Sequence, residues 1–200
     1  MSFNYTAATR IICEDICSTL PAFSHVDMDK VGISFCQTRR QEKYGVFASL
    51  SPLKMEGGKS IKFWCGSYWK MPDVRDSSGR LILYILSLYV PRFINLTLTE
   101  KIDTIIHELY HIGEKFDGDF RRFPGRCSSH GSSRKKYDQI VHALAREWLA
   151  HDPAPEKWNF LTLNFQGLTQ KYGSVGGTKF RTPHMSRLTE DEVRKLFRPY

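Results

Sequence analysis

Ile105-Ile106-His107-Glu108-Leu109-Tyr110-His111 is an H-E-x-x-H motif, and the residues around it predict that it sits inside a helix spanning 99–113. Thr97 and Thr99 offer side-chain oxygens for an N-cap, Glu100 and Asp103 place negative charge in the first turn, and Gly113 supplies a stop. At about 100° per residue, Ile102, Ile105, Ile106, Leu109 and Ile112 gather on one side and both histidines on the other. The aliphatic stripe faces a core and leaves the imidazoles pointing away from it. Histidines four apart on a helix are near enough to share one tetrahedral zinc ion. Glu108 is turned by about 100° from His107, where a general base can serve a metal-activated water without occupying a ligand position.

A chain of 200 residues is long enough for one domain with a sizeable core, and 41% hydrophobic with 25% charged residues is the composition of an ordinary globular protein. The formal charge of +8 favours acidic partners, nucleic acid being the commonest. Five irregularly spaced cysteines and an N-terminus without signal-peptide character imply a reducing, cytoplasmic location. The longest apolar run, Leu81 to Val90, stops at Pro91, well short of the about 20 residues that cross a bilayer, so no membrane segment is expected.

Taken in order, apolar spacing predicts an amphipathic helix over Tyr5 to Leu20, in which Cys13 and Cys17 read as packing residues. Strands are expected over Lys30 to Thr38, Tyr44 to Leu50, Lys59 to Tyr68 and Arg80 to Val90, the last buried on both faces. Trp64, Tyr68 and Trp69 are expected to pack the core of a small sheet rather than to stack bases. A long Gly- and Pro-punctuated loop follows Gly113, of a kind that tends to be functional. Ser132 or Ser133 then caps a second helix whose inner face is Tyr137, Ile140, Val141, Leu144, Trp148 and Leu149, and which leaves His142 in solvent. Beyond Pro155, a strand over Trp158 to Phe165 and a short terminal helix over Thr189 to Phe197 are expected. The domain therefore runs over 1–152, with 153–200 a basic, partly irregular extension.

Two histidines do not complete a catalytic zinc site. The candidates for a third ligand are His130, Asp117, Asp119, Cys127 and Glu147. Asp117 lies ten residues after His107, at the metzincin spacing, but Glu114 stands where that pattern requires glycine. His130 is favoured: Ser129 and Gly131 let the backbone turn there, and a helix follows to brace it.

The runs Leu88-Tyr89-Val90-Pro91-Arg92-Phe93, Ile106-His107-Glu108-Leu109-Tyr110-His111-Ile112, Phe116-Asp117-Gly118-Asp119 and Arg121-Arg122-Phe123-Pro124-Gly125-Arg126-Cys127, followed by His130, resemble the metallopeptidases found in phages and bacteria. These are similar in outline to SprT-like zincins, and the resemblance covers about Val26 to Ala150. It implies a third ligand that is a histidine beyond the motif helix followed by glycine, which His130-Gly131 matches. SprT-like proteins commonly add a ribbon of paired C-x-x-C motifs, whereas this chain has no cysteine after Cys127.

The expected fold is thus α+β and zincin-like, a small, mostly antiparallel sheet packed against the motif helix and flanking helices. The expected function is a zinc metallopeptidase acting on a protein or peptide substrate, with His107, His111 and His130 on Zn2+ and Glu108 as general base. Tyr137, Arg121, Arg122 and Arg126 are candidates for stabilising the oxyanion. Seven basic residues against two acidic ones from Lys115 to Lys136 suggest a positive rim and association with DNA or DNA-bound proteins. The alternative is a non-catalytic, zinc-stabilised nucleic-acid or protein binding module, with Cys127 or an aspartate closing the site.

Overall fold

The computed structural model describes residues 2–38, 45–124, 129–131, 133–181 and 183–197. In chain order its elements are β1 (Ser2–Asn4), α1 (Tyr5–Thr19), β2 (Val31–Gln37), β3 (Ala48–Pro52), β4 (Ile61–Trp64), β5 (Ser67–Lys70), β6 (Val74–Arg75), β7 (Leu81–Ile82), β8 (Tyr84–Val90), α2 (Leu98–Tyr110), α3 (Arg134–Ala150), α4 (Pro155–Trp158), α5 (Phe165–Tyr172), β9 (Ser174–Gly176), β10 (Ser186–Arg187) and α6 (Glu190–Leu196). The fold is α+β, with small, mostly antiparallel sheets, as the zincin-like expectation requires. No described helix is long and apolar enough to cross a membrane.

The central layer is a three-stranded sheet in the order β2-β8-β3. The unbroken apolar run of β8 places it in the middle, parallel to β2 and antiparallel to β3, with Tyr84, Leu86, Leu88 and Val90 all buried. The outer edge of β2 is covered: Phe35 N–H donates to the Thr178 carbonyl at 2.7 Å, and Phe180 N–H donates to Ser34 Oγ at 3.0 Å. The register of β3 settles its own outer edge. Tyr89 N–H donates to the Phe47 carbonyl, and because paired peptides alternate along an antiparallel ladder, Ala48 and Leu50 turn their N–H groups away from β8.

Helix α2 begins at a capping box in which the Thr97 side chain accepts from Glu100 N–H while the Glu100 carboxylate accepts from Thr97 N–H. Its aliphatic stripe is buried as the spacing predicts: Ile102, Ile105, Ile106 and Leu109 are within one per cent of complete burial. Each such side chain contributes roughly 1.5–3 kcal/mol by leaving water, enough to hold the helix's rotation about its axis. Helix α1, capped by the Asn4 side chain on Ala7 N–H, adds Ile12, Cys13, Ile16 and Cys17 to the same core, the two cysteines as free, buried thiols.

Three expectations are corrected. The segment Trp158 to Phe165 is not a strand: Pro155 opens the short helix α4, a 3-10 turn follows, and Asn164 caps α5 on Gly167 N–H. The region after 152 is not a mere appendage. Phe160, Leu161 and Leu168 join the main core, β9 pairs parallel to β1, and Tyr172 stacks on Phe3 at 4.6 Å, because the N-terminal helix needs this cover for its apolar side. The short terminal helix α6 forms where expected, capped by Thr189. The third correction concerns the aromatic hairpin β4–β5. Phe63 is 59% exposed and Trp64 55%, so these rings do not make a core.

Lys101 lies on the inner side of α2, 1% exposed, and its Nζ donates to the carbonyls of Leu161 (2.6 Å) and Leu163 (2.8 Å). Burial lowers its pKa to about 8, yet the two carbonyls keep the amine satisfied in either charge state. This residue ties the motif helix to the 3-10 turn. Lys101→Met orphans both carbonyls and is expected to cost about 2–3 kcal/mol in a urea-unfolding experiment; a midpoint and slope equal to wild type would show that the tie contributes nothing.

Candidate metal centre

His107 lies in the last turn of α2 and His111 is its C-cap. Their Nε2 atoms are 3.2 Å apart, and His130 brings its own Nε2 to 3.4 Å from that of His107. All three ligand atoms lie within 4.8 Å of one another. A tetrahedral ion with bonds of about 2.0–2.1 Å to nitrogen needs neighbouring nitrogens about 3.3–3.4 Å apart. With every separation no more than 4.8 Å, the three imidazoles can close on one ion.

Two glycines make this convergence possible. A Cβ on Gly113 would stand 2.7 Å from the Asp119 carbonyl oxygen, so only glycine allows the chain leaving α2 to fold back close beside the helix end. Gly131, at φ +71°, takes the left-handed turn that follows His130 and leads into α3. Ser133 then caps α3 by accepting from Lys136 N–H.

The aspartates considered as ligands serve the returning loop. Asp119 accepts a two-pronged contact from Arg122 (2.9 and 3.1 Å) and bonds from the Gly57 and Phe120 amides, while Asp117 accepts from Asp119 N–H. Tyr84 Oη, donating to the Asp119 carbonyl and accepting from Gly118 N–H, pins the turn to β8. Glu147 is exposed on α3 and Cys127 lies outside the described residues. Among the described residues the cluster is His107, His111 and His130.

Tyr137, a candidate oxyanion donor, is buried behind the histidines instead. Its hydroxyl donates to the His107 carbonyl at 3.1 Å and faces His111 Nδ1 at 3.3 Å. Because its one proton goes to the carbonyl, the oxygen accepts from His111 Nδ1–H, which leaves the His111 Nε2 lone pair free for a metal. The hydroxyl also satisfies a helix-end carbonyl, since His111 N–H bonds to Glu108 rather than to His107. Arg121 is spent on Glu114 and on the Tyr110 ring, 4.3 Å from the centroid. Arg126 lies outside the described residues.

Glu108 is 8% exposed, and burial raises its pKa to about 7, against the opposing effect of a hydrogen bond with the Leu50 backbone. The donor there is the outward-turned amide of β3. Burial lowers His107 to about 4, aided by His130, and His111 to about 3, aided by His107 and His130, so both are neutral near pH 7 and available as ligands. Beside them opens a cleft of about 560 Å³ bounded by Gly45 to Ala48 on the β3 side and by Glu100, Asp103, Arg134 and Asp138 on the helix side. Of the basic run from Lys115 to Lys136, Arg121 and Arg122 pair with Glu114 and Asp119, and Arg134 lines the cleft among carboxylates.

No signal in the sequence marks the Leu50 amide, because its direction depends on strand register. Tyr137 was visible as an inward residue of α3, but its bond to the back of the site follows only from how α3 crosses α2.

Three imidazoles converging beside a buried carboxylate, on an α+β scaffold, define a metal-dependent protein of the metallopeptidase kind. Residues 2–144 match the family model described as "Putative phage metallopeptidase", and the chain belongs to that family. No curated protein and no solved structure gives a significant match.

Tyr137→Phe is expected to weaken metal affinity about tenfold without unfolding the protein, measured by competition with a chelating dye; unchanged affinity would show that the hydroxyl does not orient His111. In metal-stripped protein the raised Glu108 pKa stabilises the fold fully below the ordinary carboxylate range, and that contribution is lost as pH rises through about 7. Glu108→Gln lacks this loss. The stability of Glu108→Gln relative to wild type is therefore expected to climb between about pH 4.5 and 7, and a pH-independent difference would contradict the burial effect.

Proposed function

We propose that the protein is a zinc-dependent peptidase of the H-E-x-x-H type, with Glu108 as the general base. The observation that carries this reading is the pairing of three imidazoles, whose ligand atoms lie within 4.8 Å of one another, with the buried carboxylate of Glu108 beside them. His107, His111 and His130 would hold the ion, and three imidazole nitrogens suit zinc. When bound, zinc supplies Lewis-acid polarisation of a carbonyl.

The remaining chemistry falls to the chain. Glu108, with a pKa near neutrality, takes a proton from the attacking water and returns it to the departing amine nitrogen. The Leu50 amide holds the carboxylate in place while it is charged. Tyr137 keeps His111 in the tautomer a ligand needs. An extended peptide can add as a strand to the outer edge of β3 at Ala48, whose outward amide has no backbone partner among the described residues, since the other edge of the sheet is already covered by residues 178–180. A buried carboxylate raised to about 7 favours catalysis over a structural site, because a closed structural site gains nothing from it.

The test measures metal content and casein cleavage side by side. Wild type is expected to hold one zinc, lost in His130→Ala and kept in Asp117→Ala. Glu108→Gln is expected to retain zinc and lose at least about a hundredfold in turnover. Wild-type cleavage by Glu108→Gln would remove the proposed mechanism, and retention of zinc by His130→Ala would remove the third ligand.

A further inference from the structure

The sheet of β10, β5 and β4 stands away from the main core, and none of its strand residues is fully buried. A two-residue turn at Cys65-Gly66 joins β4 to β5, and the pairing sets which side chains share a face. Phe63 lies opposite Tyr68, with ring centroids 5.0 Å apart, and Phe197 at the end of α6 covers Tyr68 at 5.2 Å. That face has its partner. On the other face, Lys62, Trp69 and Arg187 form one row across the three strands, and Trp64 stands diagonally from Trp69 with indole centroids 6.1 Å apart. Among the described residues, no other aromatic ring contacts either indole.

Trp64 is 55% exposed and Trp69 beside it is half-buried; leaving indole surface in water forfeits burial that a chain with a sizeable core could have used, and an exposed aromatic patch edged by cations marks a binding surface. The row alternates charge and ring: cation, indole, cation, at the strand spacing of about 4.7–4.9 Å. Lys62 has only an exposed contact with Glu56 at 3.5 Å, and Arg187 makes no ion pair among the described residues. Flat rings beside unspent cations suit a polymer that offers unstacked bases and phosphates together. A duplex hides its base faces within the stack and would meet only the charges. The chain's net charge of +8 adds long-range attraction for such a ligand.

We propose that the face carrying Lys62, Trp64, Trp69 and Arg187 binds single-stranded nucleic acid, with unpaired bases stacking on the indoles and Lys62 and Arg187 holding phosphates. This site is separate from the metal centre and is read by binding alone, so its outcome does not depend on whether the centre is a peptidase.

The experiment is fluorescence anisotropy of the full chain with labelled oligothymidylate about 15 nucleotides long, at several salt concentrations. Wild type is expected to bind, and to bind more weakly as salt rises. Trp64→Ala, a change at an exposed position, is expected to weaken binding about tenfold, and the double variant Lys62→Ala, Arg187→Ala to flatten the salt dependence. Lys171→Ala on α5, which removes one positive charge from another surface, is expected to bind as wild type does. Circular dichroism of each variant confirms that the fold is kept. Wild-type affinity in Trp64→Ala, equal affinity for a duplex of the same length, or binding to anionic phosphatidylglycerol vesicles but not to the oligonucleotide would overturn the proposal.

Discussion

The structure depends on the rotation of α2 about its own axis. Ile102, Ile105, Ile106 and Leu109 can enter the core only if the helix presents that side inward, and the same rotation turns His107 and His111 outward toward the loop that brings His130. A helix turned by even one residue, about 100°, would bury imidazoles and expose isoleucines. The hydrophobic effect thus sets the aim of the metal ligands, and the capping box at Thr97 and Glu100 sets where the helix starts.

Around that helix, each neighbour answers a polar group that its burial would otherwise strand. Lys101 is met by the carbonyls of Leu161 and Leu163, the His107 carbonyl by Tyr137, and the Glu108 carboxylate by the Leu50 amide. The first ties the C-terminal part of the chain to the helix, the second orients His111, and the third joins Glu108 to the outer edge of β3. Stability and chemistry share these contacts, since a buried polar group left unpaired costs more than the bond itself returns.

The loop after α2 shows the same economy. Asp117 and Asp119, spaced so that they might pass for ligands, instead hold Arg122 and local amides and let Tyr84 fasten the turn. Carboxylates satisfied by a guanidinium and backbone donors have little left to offer a cation. Imidazoles with their ε nitrogens turned toward one another have a great deal to offer one.

Local signals were sufficient wherever a residue's role follows from its own periodicity or cap. The amphipathic α1 and α2, the buried central strand, the short α6 and the pairing of His107 with His111 were all legible, because spacing along a helix or strand fixes direction and a glycine or serine marks an end. Where a role depends on what another segment does, the sequence was silent. The strand expected over Trp158 to Phe165 became helical turns through caps and packing, and the region after 152 joined the core because α1 needed cover. Trp64 and Trp69 have the same composition whether a sheet faces inward or outward, and only the pairing of β4 with β5 and β10 decided it. The sequence by itself determined that His107 and His111 share one side of a helix with Glu108 beside them, since 3.6 residues per turn needs no partner. Tertiary structure alone decided the approach of His130, the bond of Tyr137 behind the site and the Leu50 amide on Glu108, because each is a distance between segments that no local pattern encodes.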